Sequence, residues 1–139
     1  MTLFSEVQLM DKTEIDILVV DDQLGVRSLL TTVLGDIGYK VVTASNGDEG
    51  VLLAKELRPK LIIMDIKMPV KDGITALYEI KDQFPDIMVV MMTAYGEVET
   101  IEQIKKGGAV GFLLKPFDIE SFIKYVNNLI RGKQEKAYA

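Results

Sequence analysis

Cysteine, histidine and tryptophan are all absent from this 139-residue chain. Without cysteine, the chain can form no disulfide, no thiolate metal site and no cysteine nucleophile. Without histidine, it has no imidazole base or metal ligand, and it cannot itself carry a phospho-histidine. No apolar run approaches the roughly 20 residues that a membrane-spanning helix needs, and residues 1–14 lack the basic start and apolar centre of a signal peptide. We therefore expect a cytoplasmic protein.

Positive charge is also scarce, because 16 basic residues face 21 acidic ones and leave a net charge of −5. Proteins that bind nucleic acids normally present a basic face to the phosphate backbone. The basic cluster outside the predicted helices is a short tail at Arg131, Lys133 and Lys136. We therefore expect no direct DNA binding and no membrane association. The length is suited to one domain, which we place at 15–131 between a flexible N-terminal extension, 1–14, and a flexible tail, 132–139.

Apolar strand-like runs alternate with helical patterns five times along the chain. The first run, Ile15–Val20, is almost continuously apolar, as in a strand buried on both faces. The later strands are predicted at Tyr39–Ala44, Leu61–Met64, Ile87–Met92 and Val110–Leu114. Helical spacing follows each strand, with Gly38 predicted to end the first helix and Asn46 and Asp118 predicted to cap the second and last. This alternation predicts an α/β, flavodoxin-like (βα)5 three-layer sandwich with a parallel sheet of order 2-1-3-4-5.

Polar side chains follow four of the predicted strands. They are Asp21 with Asp22, Asp65, Thr93 and Lys115. Ligands of open parallel sheets bind outside the carboxyl ends of the strands, near the point where strand order reverses. Three carboxylates placed together repel one another and call for a compensating cation, and Mg²⁺ prefers oxygen ligands and phosphate oxygens. The pattern therefore predicts a site for a divalent cation and a phosphoryl group.

Two details of this site have alternative interpretations. An aspartate after a strand can simply cap the next helix, and for Asp22 alone this interpretation stays open. The bond before Pro116 can be cis at modest cost, which would aim the Lys115 ammonium into the crevice.

These residues and their neighbours resemble the receiver domain of two-component response regulators. The motifs are Asp21-Asp22, Asp65 with Met68-Pro69 and Asp72-Gly73, Thr93-Ala94, and Lys115-Pro116-Phe117, and the resemblance covers about Ile15 to Ile130. Within that family, the segments 22–27, 92–97 and 115–119 are most similar to the single-domain regulator of the sporulation phosphorelay. Receivers of enhancer-binding transcription activators share parts of these segments.

The resemblance implies a phosphoacceptor rather than an enzyme, with slow autophosphatase activity at most. Asp65 would take a phosphoryl group from the phospho-histidine of a histidine kinase or histidine phosphotransfer protein. Asp22 and Asp65 would bind Mg²⁺ directly, Asp21 would act through a water, and Lys67 would contribute its backbone carbonyl. The chain would be a monomer or weak dimer.

The resemblance also assigns roles around the phosphoryl group. Lys115 would pair with a phosphoryl oxygen and Thr93 would donate a hydrogen bond. Phe112 stands at the switch position three residues before the lysine, where it has no hydroxyl to offer, and an ordinary packing role for it stays open. Lys67 and Tyr95 would flank the approach of a hydrolytic water and shield the phosphoryl group.

A helical partner is expected to dock beside the acceptor. The predicted docking residues are Gln23, Gly25, Val26, Leu29, Pro116 and Phe117. Val26 and Leu29 lie on one helical face, and a core position for either, Leu29 especially, is the alternative.

Three other protein classes fit the sequence less well than a receiver domain. A flavin carrier of the same fold would need a phosphate loop where Asp21 and Asp22 stand, and these would repel a phosphate. An aspartyl-phosphate phosphatase could share the acidic, threonine and lysine set, but would normally begin with Asp-x-Asp and carry a cap insertion. A pseudo-receiver would lack part of the acceptor set. An excised receiver of a multidomain transcription activator is the alternative within the family.

Overall fold

The computed structural model describes residues 14–94 and 98–132, in which strands and helices alternate. The strands are β1 (Ile17–Val20), β2 (Val41–Ala44), β3 (Leu61–Asp65), β4 (Met88–Thr93) and β5 (Gly111–Leu114). The helices are α1 (Leu24–Asp36), α2 (Gly47–Leu57), α3 (Gly73–Gln83), α4 (Val98–Lys106) and α5 (Ile119–Ile130). The predicted flexible extension and tail lie almost wholly outside the described residues and stay predictions.

The five strands form one parallel sheet of order β2-β1-β3-β4-β5, which confirms the predicted order. Strand order reverses between β1 and β3, and Val20, the last residue of β1, is in register with Met64 of β3. Two strands run one residue further than predicted. Asp65 pairs with Met92 and Thr93 pairs with Leu114, so both belong to the sheet ladder. The ladder fixes the backbone of these two polar residues.

Helices cover both faces of the sheet, because alternate strand residues point to opposite sides. In β1, Leu18 and Val20 pack into a core beneath α2, α3 and α4, while Ile17 and Val19 pack beneath α1 and α5. All four side chains are fully buried. A strand buried on both faces explains the continuous apolar run that predicted it.

Capping residues lie at the helix starts and at the helix end where the sequence predicts them. Gly38 has a φ of +103° and follows α1, and its N–H and that of Tyr39 donate to the carbonyls of Gly35 and Leu34. This pair of bonds is a Schellman motif, which suits glycine because a side chain is strained at positive φ. Asn46 and Asp118 each accept a backbone N–H bond of 2.9 Å at the start of α2 and α5, and such caps contribute about 1 kcal/mol each.

Candidate functional site

The carboxyl ends of four strands bring the predicted polar residues to one edge of the sheet. Asp21 directly follows β1, Asp65 ends β3, Thr93 ends β4 and Lys115 follows β5. The backbone N–H of Lys115 donates to the Thr93 carbonyl at 2.8 Å, which extends the ladder to the lysine. A cleft of about 340 Å³ opens above this edge. Its lining includes Asp22, Asp65, Lys67, Thr93, Thr100 and Lys115.

Three carboxylates lie together at this cleft, and two of them approach the Lys115 ammonium. One carboxylate oxygen from each of Asp21, Asp22 and Asp65 lies within 4.8 Å of the others. The Lys115 Nζ atom is 2.9 Å from Asp21 Oδ2 and 3.5 Å from Asp65 Oδ1. In the ion pairs of the described residues, Lys115 pairs with two of these three carboxylates, so negative charge predominates in the cluster. The acidic cluster can therefore hold a metal ion, and its all-oxygen donor set suits a hard divalent cation.

The pKa values of Asp65 and Lys115 both reflect this crowding. Burial raises the pKa of the Asp65 carboxyl above its ordinary value, and the charge of Asp21 adds to the effect while Lys115 opposes it. Burial lowers the pKa of the Lys115 ammonium, but its hydrogen bond to Asp21 and the charges of Asp65 and Asp21 outweigh burial and raise that pKa overall. The lysine therefore stays protonated while the site remains short of positive charge.

The three aspartates differ in what holds them. Asp21 is fully buried, and its two oxygens accept from the Gln23 N–H at 2.9 Å and from Lys115 Nζ at 2.9 Å. Asp65 is buried at the strand end. Asp22 is exposed, and no described residue donates a hydrogen bond to its carboxylate. Its interpretation as a helix cap is wrong, since α1 begins at Leu24 with Gln23 as N-cap residue.

A glycine keeps the loop after Asp65 close to the sheet. The Gly73 N–H donates to the Ile66 carbonyl at 2.7 Å, and a Cβ at Gly73 would lie 2.0 Å from the Asp65 carbonyl oxygen. Asp72, one residue earlier, caps α3 through the Thr75 N–H. The Asp-Gly pair therefore starts α3 against the backbone of Asp65, and any side chain at Gly73 would displace Asp65.

The remaining predicted positions are placed as follows. The Lys115–Pro116 peptide bond is cis. Phe112 is half-buried and packs against the core beneath α2, α3 and α4. Lys67 is exposed at the rim of the cleft. Tyr95 lies outside the described residues, so its predicted shielding role stays a prediction.

The predicted docking residues surround the cleft with differing exposure. Gln23, Gly25, Leu29 and Pro116 are exposed, whereas Val26 and Phe117 are half-buried against the core beneath α1 and α5. Leu29 is 49% exposed, so the core alternative is wrong for this residue. Leu24, which is 69% exposed on the same helix, was missed by sequence reasoning.

Two further residues at the site escaped the sequence analysis. Thr100 of α4 lines the cleft, and the Arg27 guanidinium donates to the backbone carbonyl of Asp21 at 2.8 Å. Neither follows a strand, so the rule that found the other polar residues could not find them. Arg27 occurs in the segment 22–27, which carries part of the family resemblance. That resemblance could have drawn attention to Arg27, but it gives no physical reason for an arginine there.

Comparisons with known proteins assign the family. The model of the response regulator receiver domain matches residues 17–127, and the chain belongs to that family, as predicted. It is therefore a phosphoacceptor domain of two-component signalling. Receiver domains interact with histidine kinases or phosphotransfer proteins. Within the described residues, no helix is long and apolar enough to cross a membrane.

Particular relatives sharpen this assignment. The chain is 42% identical over 104 residues to sporulation initiation phosphotransferase F of Bacillus subtilis (strain 168), covering 75% of this chain and 84% of that protein. It is 39% identical over 120 residues to regulatory protein AtoC of Escherichia coli (strain K12), covering 86% of this chain but only 26% of that protein. The structure of chemotaxis protein CheY4 of Vibrio cholerae matches with a TM-score of 0.78 at 31% identity, covering 84% of this chain and 98% of that one.

Proposed function

We propose that Asp65 accepts a phosphoryl group from the phospho-histidine of a partner protein in a Mg²⁺-dependent reaction. The observation that carries this proposal is the position of the Asp65 carboxylate. It ends a central strand in an open cleft, within 4.8 Å of two other carboxylates and 3.5 Å from an ammonium. An oxygen nucleophile thus stands beside groups that can hold a cation and a phosphoryl group.

The donor set fits Mg²⁺, with a different part for each aspartate. Asp22 has an exposed carboxylate that no described residue engages, which suits a direct ligand. Asp65 would be the second direct carboxylate and Lys67 would contribute its backbone carbonyl. Both oxygens of Asp21 already accept hydrogen bonds, which favours contact with the ion through a water. Bound Mg²⁺ would neutralise charge on the transferring phosphoryl oxygens.

The transfer exchanges one bond to phosphorus for another. An O–P bond forms to a carboxylate oxygen of Asp65 while the P–N bond of the phospho-histidine breaks. The imidazole leaves with the electron pair and takes a proton from water. Lys115, held by Asp21, would pair with a phosphoryl oxygen, and Thr93 would donate its hydroxyl hydrogen to another. Catalysis of this kind consists of positioning and charge stabilisation.

The response to phosphorylation would pass through packing at the β5 side of the site. Thr93 lines the cleft at the end of β4, and Phe112 lies one strand away, half-buried. Because phenylalanine has no hydroxyl, Phe112 would respond by moving between packing positions rather than by a hydrogen bond to Thr93.

The partner would be a helical histidine kinase or phosphotransfer protein, docking on the exposed surface beside the acceptor. Leu24, Leu29 and Pro116 present apolar surface there, and Gly25 lets a partner backbone approach. We propose a cytoplasmic monomer or weak dimer that hands the group to a second protein. The likeness to regulatory protein AtoC, of which the chain covers 26%, supports a second candidate, a receiver within a longer regulatory protein.

Replacing the acceptor tests the proposal. Incubation with a small acyl phosphate and Mg²⁺ should add one phosphoryl group to the wild type and none to Asp65→Asn, measured by intact mass. Asp16→Asn, at the opposite end of β1, is the matched control and should be phosphorylated normally. Modification of Asp65→Asn at the wild-type level would overturn the assignment.

We also propose that the acyl phosphate hydrolyses slowly, with autophosphatase activity at most. Lys67 lies on the rim of the cleft, where a long side chain without an acid or amide covers the group and does not orient a water. Lys67→Asn, alone and with Tyr95→Glu, should dephosphorylate severalfold faster than the wild type. Lys60→Asn, remote from the cleft, should not. If the phosphoryl group of the double variant were lost at the wild-type rate, shielding by these side chains would be contradicted. A role as a terminal signalling switch would then be as well supported as a role as a phosphorelay intermediate.

A further inference from the structure

We propose that Arg27 is a positioning residue for the metal ligand Asp22. Arg27 lies in the first turn of α1, and its Nη1 atom donates to the backbone carbonyl of Asp21 at 2.8 Å. That carbonyl belongs to the peptide unit that leads into Asp22. The role concerns the Mg²⁺ site and therefore rests on the proposed function.

The hydrogen bond from Arg27 orients a whole peptide plane. The carbonyl of Asp21 and the N–H of Asp22 belong to one rigid planar unit, so fixing the oxygen also fixes the start of Asp22. The neighbouring groups are held as well. The Asp21 N–H donates to the Ala44 carbonyl at 3.1 Å, and the Gln23 N–H donates to Asp21 Oδ1 at 2.9 Å. Arg27 completes the fixation of the turn between β1 and α1.

Asp22 depends on this turn more than the other two carboxylates do. Asp21 is held by Gln23 and Lys115, and Asp65 is part of the sheet ladder. The Asp22 carboxylate receives no hydrogen bond from the described residues, so its backbone alone directs it into the cleft. Mg²⁺ demands near-octahedral geometry with short bonds, so a small rotation of this peptide would weaken binding.

The location of Arg27 is not one that helix stability would favour. A cation in the first turn faces the positive end of the helix dipole, and α1 has no acidic residue in that turn to offset it. The Asp21 carbonyl and the acidic cluster beyond it provide the compensation. The position of Arg27 is therefore better explained by a role at the acidic site than by stabilisation of α1.

Mg²⁺ affinity separates these two roles. We would measure the Kd for Mg²⁺ by calorimetry in the wild type, Arg27→Met, Arg27→Gln and Arg58→Met, with Mn²⁺ titrations followed by electron paramagnetic resonance as a second readout. Arg27→Met and Arg27→Gln lack the guanidinium that bonds to the Asp21 carbonyl. Each should weaken metal binding by about tenfold, which is the lower end of the range for residues that orient metal ligands. Melting temperatures without metal would be recorded for every variant.

Arg58 is a matched control because it also donates to a backbone carbonyl. Its Nε atom donates to the Lys55 carbonyl at 3.2 Å, and its guanidinium lies 4.0 Å from the centre of the Phe84 ring, at the other end of α2 from the cleft. Arg58→Met should lower the melting temperature and leave the Kd unchanged. An unchanged Kd in whichever Arg27 variant folds would overturn the positioning role and leave the proposed function standing. A wild type that binds no Mg²⁺ would overturn both.

Discussion

The two ends of β1 carry aspartates with similar partners and different surroundings. At the amino end, Asp16 Oδ2 accepts the Lys40 backbone N–H at 2.8 Å and Oδ1 pairs with Lys60 Nζ at 3.2 Å. At the carboxyl end, Asp21 likewise accepts one backbone N–H and pairs with one lysine, Lys115. The local bonding of the two carboxylates is therefore nearly the same.

Burial and the balance of charge distinguish the two ends. The Lys60 and Asp16 side chains are 51% and 17% exposed, whereas those of Lys115 and Asp21 are 20% and 0% exposed. Asp16 has a lysine to itself, but Asp21 shares its lysine with Asp65 and lies beside Asp22. An aspartate at a strand end thus serves structure where its charge is matched. It serves function where unmatched charge remains for a ligand.

Removing each lysine should give the largest difference between the two ends. Lys115→Met leaves buried Asp21 and Asp65 without their cation, and we expect it to lower the free energy of unfolding by roughly 2–3 kcal/mol, just below the usual cost of breaking a fully buried pair. Lys60→Met breaks a pair whose lysine is half-exposed to solvent and should cost only about 0.5 kcal/mol. Urea unfolding without Mg²⁺ measures both.

Mg²⁺ then provides an internal control on this difference. Added at ten times its Kd, it should stabilise the wild type by about 1.4 kcal/mol and should also recover part of the loss in Lys115→Met. It should leave the deficit of Lys60→Met relative to the wild type unchanged. Equal losses for the two variants, or equal deficits with and without Mg²⁺, would show that the two ends do not differ as described.

The fold was predictable because its signals are local and periodic. The continuous apolar run of β1 and the helical spacing up to Gly38 each reflect burial within one element, and strand alternation leaves few topologies open. The strand ends also led to Asp21, Asp65 and Lys115. The predicted carboxyl-terminal boundaries of β3 and β4 fell one residue early, because polar Asp65 and Thr93 pair in the ladder regardless of their low apolarity.

The rest of the site depends on contacts that no spacing rule encodes. Arg27 meets the Asp21 carbonyl only after the chain turns from β1 into α1. The need for Gly73 arises from a backbone approach to Asp65 that exists only once α3 is docked. Leu29 fits the helical pattern of core residues, yet it is exposed, because α1 presents more apolar surface than the sheet covers.

Neutralising one aspartate at each end of the sheet should change the free energy of unfolding by a smaller amount and in opposite directions. Asp65→Asn removes a charge from a cluster with surplus negative charge, where burial and Asp21 already raise the pKa of Asp65 in favour of the neutral form. Without Mg²⁺ it should increase the free energy of unfolding by on the order of 1 kcal/mol, because the attraction of Lys115 offsets much of the repulsion that is relieved. The gain should fade as Mg²⁺ is added, because the wild type then binds the ion that the variant binds poorly.

Asp16→Asn is the matched change at the amino end and should act in the opposite direction. It removes a charge that Lys60 balances, and its amide can still accept the Lys40 N–H through the side-chain oxygen, so only the ion pair with the half-exposed Lys60 is lost. The expected destabilisation is about 0.5 kcal/mol, and because salt screens exposed pairs it should shrink further at high ionic strength. Urea unfolding at pH 7, at low and high salt, compares the two variants. Stabilisation of the protein by Asp16→Asn, as is expected for Asp65→Asn, would contradict this comparison. It would show that carboxylates lower the free energy of unfolding at both ends of β1. An excess of negative charge would then not distinguish the site from the other end of the sheet.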